Sequence, residues 1–283
     1  MRRLTIILGP TAAGKTACAI ERAVSAGSPV ISCDSRQIYR EMRIGTAVPS
    51  AGQLAAVRHY FIQTVPVTRE YTAGIYEIEA LDLIGMLFDE GHEELIMAGG
   101  SMFYIDAVCK GIDDIPSAAP GIRMELSERA AQGELDKMVE ELRRLDPRTC
   151  DEIDCSNRQR VIRALEVCLT TGRPFSSFKR REDKKRNFEI RKIGISCPRE
   201  ELYRRIDDRV DRMMEEGLLD EVRSLLPYRE YPALRTVGYS ELFDHLDGKI
   251  SLDEAVSLIK RNTRHYAKRQ MTWWRRDPEI EWI

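Results

Sequence analysis

Leu4-Thr5-Ile6-Ile7-Leu8-Gly9-Pro10-Thr11-Ala12-Ala13-Gly14-Lys15-Thr16 is the stretch from which the rest of the chain can be interpreted. Its first five residues are apolar or β-branched and predict a short buried strand. Residues 9–16 then fit the pattern G-x-x-x-x-G-K-[ST] without a mismatch, and residues 17–26 predict a helix. In that order, the N–H groups of the loop and the positive end of the helix surround phosphate oxygens.

We therefore expect a di- or triphosphate to bind this loop. The Lys15 ammonium adds positive charge, and the Thr16 hydroxyl is a candidate ligand for Mg²⁺. A phosphate-binding loop does not recognise the rest of its ligand, so ATP is a candidate alongside ligands that carry a diphosphate. The predicted contacts are Gly9, Pro10, Thr11, Ala12, Ala13, Gly14, Lys15 and Thr16.

The composition of the 283 residues, 43% hydrophobic and 32% charged, is typical of a globular protein with one large core or a core plus a small inserted domain. No apolar run approaches the roughly 20 residues of a membrane span, and Met1-Arg2-Arg3 leads into a strand without a signal-peptide cleavage site. The seven cysteines are scattered and never form C-x-x-C, which indicates reduced thiols rather than a disulfide framework or a zinc site. We expect a cytoplasmic protein and, by default, a monomer.

The net charge is only −2, but basic residues are concentrated in two tracts. Residues 179–192 contain eight basic and three acidic residues, and residues 260–276 contain seven basic residues and no acidic one. A charged run is usually a solvated face. Two such tracts in a chain with a phosphate loop favour a polyanionic partner.

Two later strand ends bear on the chemistry. Residues 29–33 predict a strand followed by Asp34, and ligands of open α/β sheets lie beyond the carboxyl ends of the strands. An aspartate there is either a helix N-cap or a functional group. Residues 94–98 predict a strand that ends in Gly99-Gly100-Ser101, where a typical ATPase or GTPase has an aspartate for Mg²⁺. This combination favours group transfer with diphosphate as leaving group over nucleotide hydrolysis.

The alternation of strands and helices predicts an α/β fold, a P-loop NTPase-like parallel sheet flanked by helices, with an inserted all-helical domain. The α/β core is expected at 1–111 and 186–283, and the insert at 112–185. The insert starts with a linker that includes Ala118-Ala119-Pro120. Predicted elements are a possible strand 59–62, helix 71–88, helices 121–132, 134–145 and 157–170 (the last with Val161, Ile162, Leu165 and Leu169 on one side), strand 190–196, helix 199–226, a helix opened by 235–239, and helix 251–273.

Two helices carry charge patterns that have two interpretations each. Arg205, Arg209 and Arg212 fall on one face, either as a solvated row or as cations that neutralise a departing diphosphate. The last helix interleaves cations with aromatic residues and ends in Trp273-Trp274. That pattern suits a nucleic-acid backbone and unstacked bases, although the tryptophans could equally pack in the core.

The ordered set of motifs resembles the tRNA dimethylallyltransferases, the isopentenyl transferases that act on tRNA, over nearly the whole chain. The family usually has threonine where this chain has Ser101, and lysine where it has Val48. The chain ends soon after Trp274, without the zinc finger of eukaryotic members, so we expect the bacterial type. The resemblance rests on Gly9–Thr16, Asp34-Ser35-x-Gln37-x-Tyr39, Ile44-Gly45-Thr46-Ala47, Gly99-Gly100-Ser101-x-x-Tyr104, Asn157-Arg158-Gln159-Arg160-x-x-Arg163-Ala164-Leu165-Glu166, Val237-Gly238-Tyr239 and Ala267-Lys268-Arg269-Gln270-x-Thr272-Trp273.

The resemblance implies a donor, dimethylallyl diphosphate, held by the loop and Mg²⁺, and an acceptor, the exocyclic amine of the adenosine just 3′ of the tRNA anticodon. It implies that Asp34 is the general base, that Arg209 stabilises the leaving diphosphate and that Ser101 bonds near the reacting centre. The residues it assigns to tRNA are Asp34, Ser35, Arg36, Gln37, Ser101, Arg123, Gln159, Arg160, Val161, Ile162, Arg163, Arg235, Gly238 and Lys268.

Three alternatives stay open on the sequence. A transferase acting on free adenine nucleotides would share the loop and the aspartate but would not need the basic tracts. A small-molecule kinase would use ATP at the same loop, although the strand-end aspartate that it would need is missing. An RNA-binding module with a relic loop is the third, and the complete loop motif speaks against it.

Overall fold

The structure is a computed structural model. It describes residues 2–116, 119, 121–179 and 183–283. The predicted linker residues Ala118 and Pro120, and Arg180 and Arg181 of the first basic tract, lie outside the described residues.

The chain forms two compact units. Met1–Lys110 and Lys185–Ile283 make up the first, which is called the α/β unit below. The second, Gly111–Lys184, is called the helical unit. The sequence prediction placed the corresponding boundaries at residues 112 and 185.

A single six-stranded sheet organises the α/β unit, in the order β3-β2-β4-β1-β5-β6. Every neighbouring pair is parallel, and β1 lies in the middle, with Ile6 opposite both Met97 and Lys192. Parallel strands covered on both faces are mostly apolar, and β1 is buried from Leu4 to Leu8, with Thr5 as the polar residue of that stretch. The predicted parallel α/β fold is confirmed, and the short edge strand β6 was not predicted. The strands are β1 (Arg3–Leu8), β2 (Val30–Ser32), β3 (His59–Tyr60), β4 (Glu94–Ala98), β5 (Glu189–Gly194) and β6 (Ile280–Trp282).

Two helices of the α/β unit, Ala51–Ala56 and Met102–Lys110, were not predicted, and one predicted helix is broken. The predicted helix 199–226 is two helices, because Gly217 between them has φ of 96°, a left-handed conformation that glycine adopts without strain. The helices are α1 (Lys15–Ala26), α2 (Ala51–Ala56), α3 (Ala73–Asp89), α4 (Met102–Lys110), α9 (Arg199–Glu215), α10 (Leu218–Ser224), α11 (Tyr239–Leu246) and α12 (Leu252–Trp274).

The helical unit has a core of its own, to which Leu126, Met138, Leu142, Val161 and Leu165 contribute. The placement of Leu169 on its buried face was wrong, since 41% of that residue is exposed. The buried stripe instead continues through Cys168, which lies seven residues after Val161 and so recurs on the same face.

The helices of this unit are α5 (Ile122–Ala131), α6 (Leu135–Leu145), α7 (Pro147–Glu152) and α8 (Arg158–Thr171). Of these, α7 was not predicted, although Asp146-Pro147 is a cap signal: the Thr149 N–H donates to Asp146 Oδ1 at 3.1 Å. In the part of the chain that the structure describes, no helix is both long and apolar enough to cross a membrane.

Candidate active site

A cavity of about 380 Å³ opens beyond the carboxyl ends of β1, β2 and β4. We call it the anion cavity. Five of the eight predicted loop residues line it, whereas Gly9, Pro10 and Ala13 do not. Its lining is Thr11, Ala12, Gly14, Lys15, Thr16, Asp34, Gln37, Ala47, Ala98, Gly99, Gly100, Arg205, Asp208, Arg209, Arg212, Tyr266 and Gln270.

The phosphate loop presents the start of α1 to this cavity. No side chain caps the helix at Gly14, and the first N–H groups of an α-helix have no partner inside the helix. The N–H groups of Lys15 and Thr16 therefore remain for a ligand. Thr11 differs, because its N–H donates to Gln270 Oε1 at 2.9 Å and is not available to a phosphate.

The cations of the anion cavity repel one another. The pKa of Lys15 is lowered to about 8, first by burial and then by the nearby positive charge of Arg209, against an opposing contribution from Asp34. The pKa of Arg209 is also lowered, first by burial and then by Arg212. Among the described residues Arg209 makes no hydrogen bond or ion pair. A cavity with this excess of positive charge is suited to an anion of more than one charge.

The arginine row of α9 had two interpretations, and the structure places all three arginines on the anion cavity. They differ in their partners, since Arg205 forms an ion pair with Glu201 one turn earlier. Arg209 lies between Arg205 and Arg212 and is half-buried. Among the described residues neither Arg209 nor Arg212 makes a side-chain hydrogen bond or ion pair, and Arg209 is the less exposed of the two.

Asp34 combines the two roles that the sequence left open. Its Oδ1 atom accepts hydrogen bonds from the N–H groups of Arg36 at 2.9 Å and Gln37 at 3.2 Å, as a capping aspartate does. The same side chain lines the anion cavity and a second cavity of about 240 Å³. Asp34 thus stands at the border of the two.

The second cavity has a largely apolar wall, and we call it the apolar cavity. Ile206, Val210, Met213, Leu218 and Ile259 contribute that wall, and each is at most 9% exposed. The residues common to both cavities are Thr11, Asp34, Arg209 and Tyr266. A ligand with a polyanionic head and a short hydrocarbon tail would match this pair of cavities.

Ser101 holds the turn after Asp34 rather than projecting into either cavity. The Ser35 N–H donates to Ser101 Oγ at 2.8 Å, and Ser101 Oγ–H donates to Ser35 Oγ at 2.9 Å. The residue is 8% exposed and lines neither the anion cavity nor the apolar cavity. Its predicted contact with the reactants stays a prediction, and its observed bonds position the Asp34 turn.

Gln37 and Arg36 are also committed to the protein. Gln37 Nε2 donates to the carbonyl oxygens of Thr46 at 3.1 Å and Ala47 at 2.9 Å. Arg36 Nη1 donates to the carbonyl oxygen of Ala233 at 3.0 Å. Both side chains therefore stabilise loops around Asp34, which leaves their predicted contacts with RNA as predictions.

Sequence reasoning missed Glu221, the residue that holds the Ile44–Ala47 motif. Its carboxylate accepts hydrogen bonds from three consecutive N–H groups, those of Arg43 at 3.0 Å, Ile44 at 2.7 Å and Gly45 at 3.1 Å. The Tyr239 hydroxyl donates to the same carboxylate at 2.7 Å. Two of the family motifs thus meet at one carboxylate.

Val48, where the family usually has lysine, lies on a third cavity of about 590 Å³ next to the anion cavity. Arg43 and Arg212 line the same space, together with Thr16. Positive charge is therefore present there without a lysine at position 48.

The residues predicted to contact tRNA from the helical unit fall into three groups. Gln159 and Arg160 are exposed. Val161 and Ile162 are 0% and 2% exposed in the core of the unit, so the assignment of their side chains to RNA contact was wrong. Arg123 and Arg163 both pair with the buried carboxylate of Glu166, at 3.1 and 3.4 Å.

Three further predicted tRNA contacts belong to the α/β unit. Lys268 is exposed on α12. Arg235 is exposed and pairs with Glu230 at 3.6 Å. The Gly238 N–H donates to Glu241 Oε2 at 2.8 Å, and Gly238 lines the apolar cavity. Lys268 is the residue of the three with a cation most open to a phosphate.

Comparisons with known proteins match this chain to enzymes that transfer an isopentenyl or dimethylallyl group to tRNA. The family model described as IPP transferase matches residues 37–277. The tRNA dimethylallyltransferase 2 of Porphyromonas gingivalis is 52% identical over 280 residues, which cover 99% of this chain and 93% of that protein. The crystal structure of the full-length tRNA isopentenylpyrophosphate transferase from Bacillus halodurans superposes with a TM-score of 0.72 at 34% identity, covering 100% of this chain and 90% of that one. A eukaryotic dimethylallyltransferase acting on tRNA shares the fold, with a TM-score of 0.84 at 24% identity over 100% of this chain and 74% of its own.

Proposed function

This chain belongs to the IPP transferase family, and we propose that it is a tRNA dimethylallyltransferase. It would transfer the dimethylallyl group of dimethylallyl diphosphate to the exocyclic amine of the adenosine 3′-adjacent to the anticodon and release diphosphate. The observation that carries the proposal is the position of Asp34, which lines both the cationic and the apolar cavity. The names of the relatives from Porphyromonas gingivalis and Bacillus halodurans support tRNA as the acceptor.

The diphosphate group of the donor occupies the anion cavity in this proposal. The N–H groups at the start of α1, the Lys15 ammonium and the Arg209 guanidinium all face it. As the allylic carbon–oxygen bond breaks, the electron pair leaves with the diphosphate oxygen. Cations already held in place stabilise the charge that develops there without reorganisation.

The hydrocarbon part of the donor occupies the apolar cavity. The incoming amine is a poor nucleophile, because its lone pair is delocalised into the adenine ring. As its nitrogen forms a bond to the allylic carbon, it must lose a proton. The Asp34 carboxylate takes that proton, since it lies at the border of the two cavities. Its Oδ1 bonds to the Arg36 and Gln37 N–H groups fix its orientation.

The residues present fit a bound Mg²⁺ that arrives with the donor. The described residues contain no group of three carboxylate, histidine or cysteine side chains that could hold a metal by themselves. Mg²⁺ commonly binds through one or two protein oxygens together with substrate phosphates, and Thr16 and Asp34 offer oxygens in the anion cavity. The Thr16 hydroxyl would hold it, and the ion would offset the negative charge of the diphosphate.

For tRNA, the target base must leave its stack to reach the cavities. Among the predicted contacts, Gln159, Arg160 and Lys268 are exposed, and their side chains make no hydrogen bond or ion pair with the described residues. We place the enzyme in the cytoplasm, because its proposed substrate is tRNA and its seven cysteines are free, and we take a monomer as the default.

The deciding experiment is a transfer assay with labelled dimethylallyl diphosphate, Mg²⁺ and a synthetic anticodon stem-loop that carries adenosine 3′ of the anticodon. AMP and ATP are offered as competing acceptors. We expect label on the stem-loop alone. Label on AMP would make the enzyme a free-nucleotide transferase, and transfer of the γ-phosphate of ATP instead would make it a kinase.

A further inference from the structure

Gln270 of α12 joins two loops of the candidate active site through its side-chain amide. Gln270 Oε1 accepts the Thr11 N–H of the phosphate loop at 2.9 Å, and Gln270 Nε2 donates to the Gly100 carbonyl oxygen at 2.8 Å. The residue is 1% exposed, so both bonds are shielded from water. One planar group therefore connects the loop after β1 with the loop after β4.

The amide of Gln270 lies close to the backbone at Gly100. A Cβ at position 100 would lie 2.5 Å from Gln270 Nε2, so a side chain there would push the amide away from its present position. The Tyr266 hydroxyl donates to the same Gly100 carbonyl oxygen at 3.3 Å. A glutamine amide is both acceptor and donor, whereas a carboxylate only accepts and an ammonium only donates.

We call the two hydrogen bonds of the Gln270 amide, to Thr11 and to Gly100, the Gln270 bridge. Each of them is connected through the chain to a group that the proposed reaction needs. The Thr11 end sets the entrance of the loop that holds the diphosphate. The Gly100 end precedes Ser101, whose hydroxyl bonds to Ser35 directly after Asp34. Gln270 is thus placed to set the separation between the leaving group and the base.

We propose that Gln270 is a positioning residue for the transfer reaction, and this inference rests on the proposed function. It acts through the phosphate loop and through the Gly100–Ser101–Ser35 connection. A displacement of about 1 Å between reacting groups costs on the order of 100-fold in rate. We expect a change of that size in kcat when the bridge is removed.

The first test compares Gln270→Met, which keeps the size and removes both bonds, with wild type and with Gln132→Met, the same change at an exposed position of the helical unit. We expect about a 100-fold lower kcat with the stem-loop, and at least about tenfold weaker calorimetric binding of inorganic diphosphate with Mg²⁺. Gln132→Met should match wild type. A Gln270→Met variant within about twofold of wild type in both measurements would overturn the proposal, as would a loss of unfolding temperature with unchanged kcat.

The second test uses Gln270→Glu and a pH profile. The introduced carboxyl can donate to the Gly100 carbonyl only when protonated. Burial favours the protonated form, whereas Lys15 and Arg209, which line the same cavity, favour the carboxylate. Both diphosphate affinity and kcat of Gln270→Glu should therefore be lowest at pH 8, where the carboxylate is most populated, and should not fall further relative to wild type toward pH 5.5. A Gln270→Glu variant that matches wild type in both measurements across that range would contradict the bridge.

Failure of this inference is distinguishable from failure of the proposed function. If wild type binds diphosphate and transfers no label to the stem-loop, the proposed function fails, while the diphosphate measurements on the Gln270 variants still decide the bridge to the phosphate loop. If wild type transfers normally and so does Gln270→Met, only this inference fails.

Discussion

Lys15 and Arg209 reach the same cavity from two different helices, and the positive charge of Arg209 is one of the causes that lower the pKa of Lys15. No carboxylate in the described part of the chain forms a hydrogen bond to both cations. Lys15 Nζ donates to the Pro10 carbonyl oxygen at 2.8 Å, and Arg209 makes no hydrogen bond or ion pair among the described residues. This repulsion is relieved when an anion binds between them. The repulsion raises the free energy of the site without a ligand and thereby favours the binding of an anion.

We predict that donor affinity falls with pH above about 8. The pKa of Lys15 in the free enzyme is lowered to about 8, so the ammonium loses its proton above that pH and the cavity loses one positive charge. Binding of diphosphate then has to take up a proton, and its dissociation constant should rise by up to about tenfold per pH unit. Isothermal titration calorimetry in buffers of different ionisation heat, between pH 7 and 10, measures both the constant and the proton uptake.

Lys15→Arg is the matched control for this titration, because an arginine keeps its charge over the whole range. Its diphosphate affinity should be independent of pH between 8 and 10, and an identical slope in both proteins would contradict the assignment. The same pKa bears on stability with the opposite sign. Between about pH 8 and 10.5 the unfolded chain holds a proton on Lys15 that the folded chain lacks, so this residue's contribution to stability rises with pH.

Asp34→Asn should separate binding from transfer. The amide oxygen can still accept the Arg36 and Gln37 N–H groups, so the turn keeps its geometry, whereas the amide is not a general base. We expect kcat to fall by about 10²–10⁴-fold, with stem-loop and donor affinities within about threefold of wild type. Single-turnover transfer and filter binding provide the two measurements, and normal turnover would remove Asp34 from the base role.

Arg209 and Arg205 should differ strongly although both line the anion cavity. Arg209→Gln removes a guanidinium without a protein partner, and the loss of a preorganised charge at the leaving group should lower kcat by about 10²–10³-fold. Arg205 is exposed and already paired with Glu201, so we expect Arg205→Gln to cost less than about tenfold. Steady-state kinetics at saturating donor compare them, and equal losses would refute the distinction.

Glu221→Ala should destabilise the α/β unit. It would leave three consecutive N–H groups and the Tyr239 hydroxyl without their common acceptor. Because hydrogen bonds to a charged acceptor are among the strongest in proteins, we expect the free energy of unfolding to drop by about 3 kcal/mol. Urea unfolding measures it against Glu215→Ala, an exposed change on α9 that should stay within about 0.5 kcal/mol.

The exposed and the paired arginines of α8 should have separable effects. Arg160→Ala should weaken stem-loop binding and reduce the salt dependence of log affinity by about one, with the unfolding temperature unchanged. Arg163→Ala should lower the unfolding temperature, because the Glu166 carboxylate is 0% exposed and would lose one of its cations. Binding as a function of salt and differential scanning fluorimetry test the pair. Equal unfolding temperatures for the two variants would contradict this separation.

The phosphate loop, the main strands and the parallel sheet were predictable because their signals are local. An apolar run, a glycine-bounded loop and a helix follow one another within residues 4–26, and no distant residue is needed to recognise them. The three-residue strand β6 lacks such a signal, since its pairing with β5 decides its conformation.

The structural roles of Glu221 and Gln270 were not predicted, for a different reason. Their partners are backbone groups far along the chain, 178 residues away at Arg43 and 259 residues away at Thr11, and a backbone N–H has no signature in the sequence. Val161 shows the reverse error. A motif position marked it as a contact to RNA, whereas its burial follows from the three-dimensional core that it shares with Leu165.

The position of β1 at the centre of the sheet has a consequence for the order of events during synthesis. This strand is translated before its neighbours β4 and β5, which follow at residues 94 and 189, and before the glutamine that bonds to its loop, at residue 270. Pairings this distant form late in folding, whereas the helical unit closes a core from contacts within 74 consecutive residues. The nascent chain therefore carries an unfinished active site until α12 has been translated, and a ribosome-bound chain stalled before α12 should hold a folded helical unit and no transferase activity.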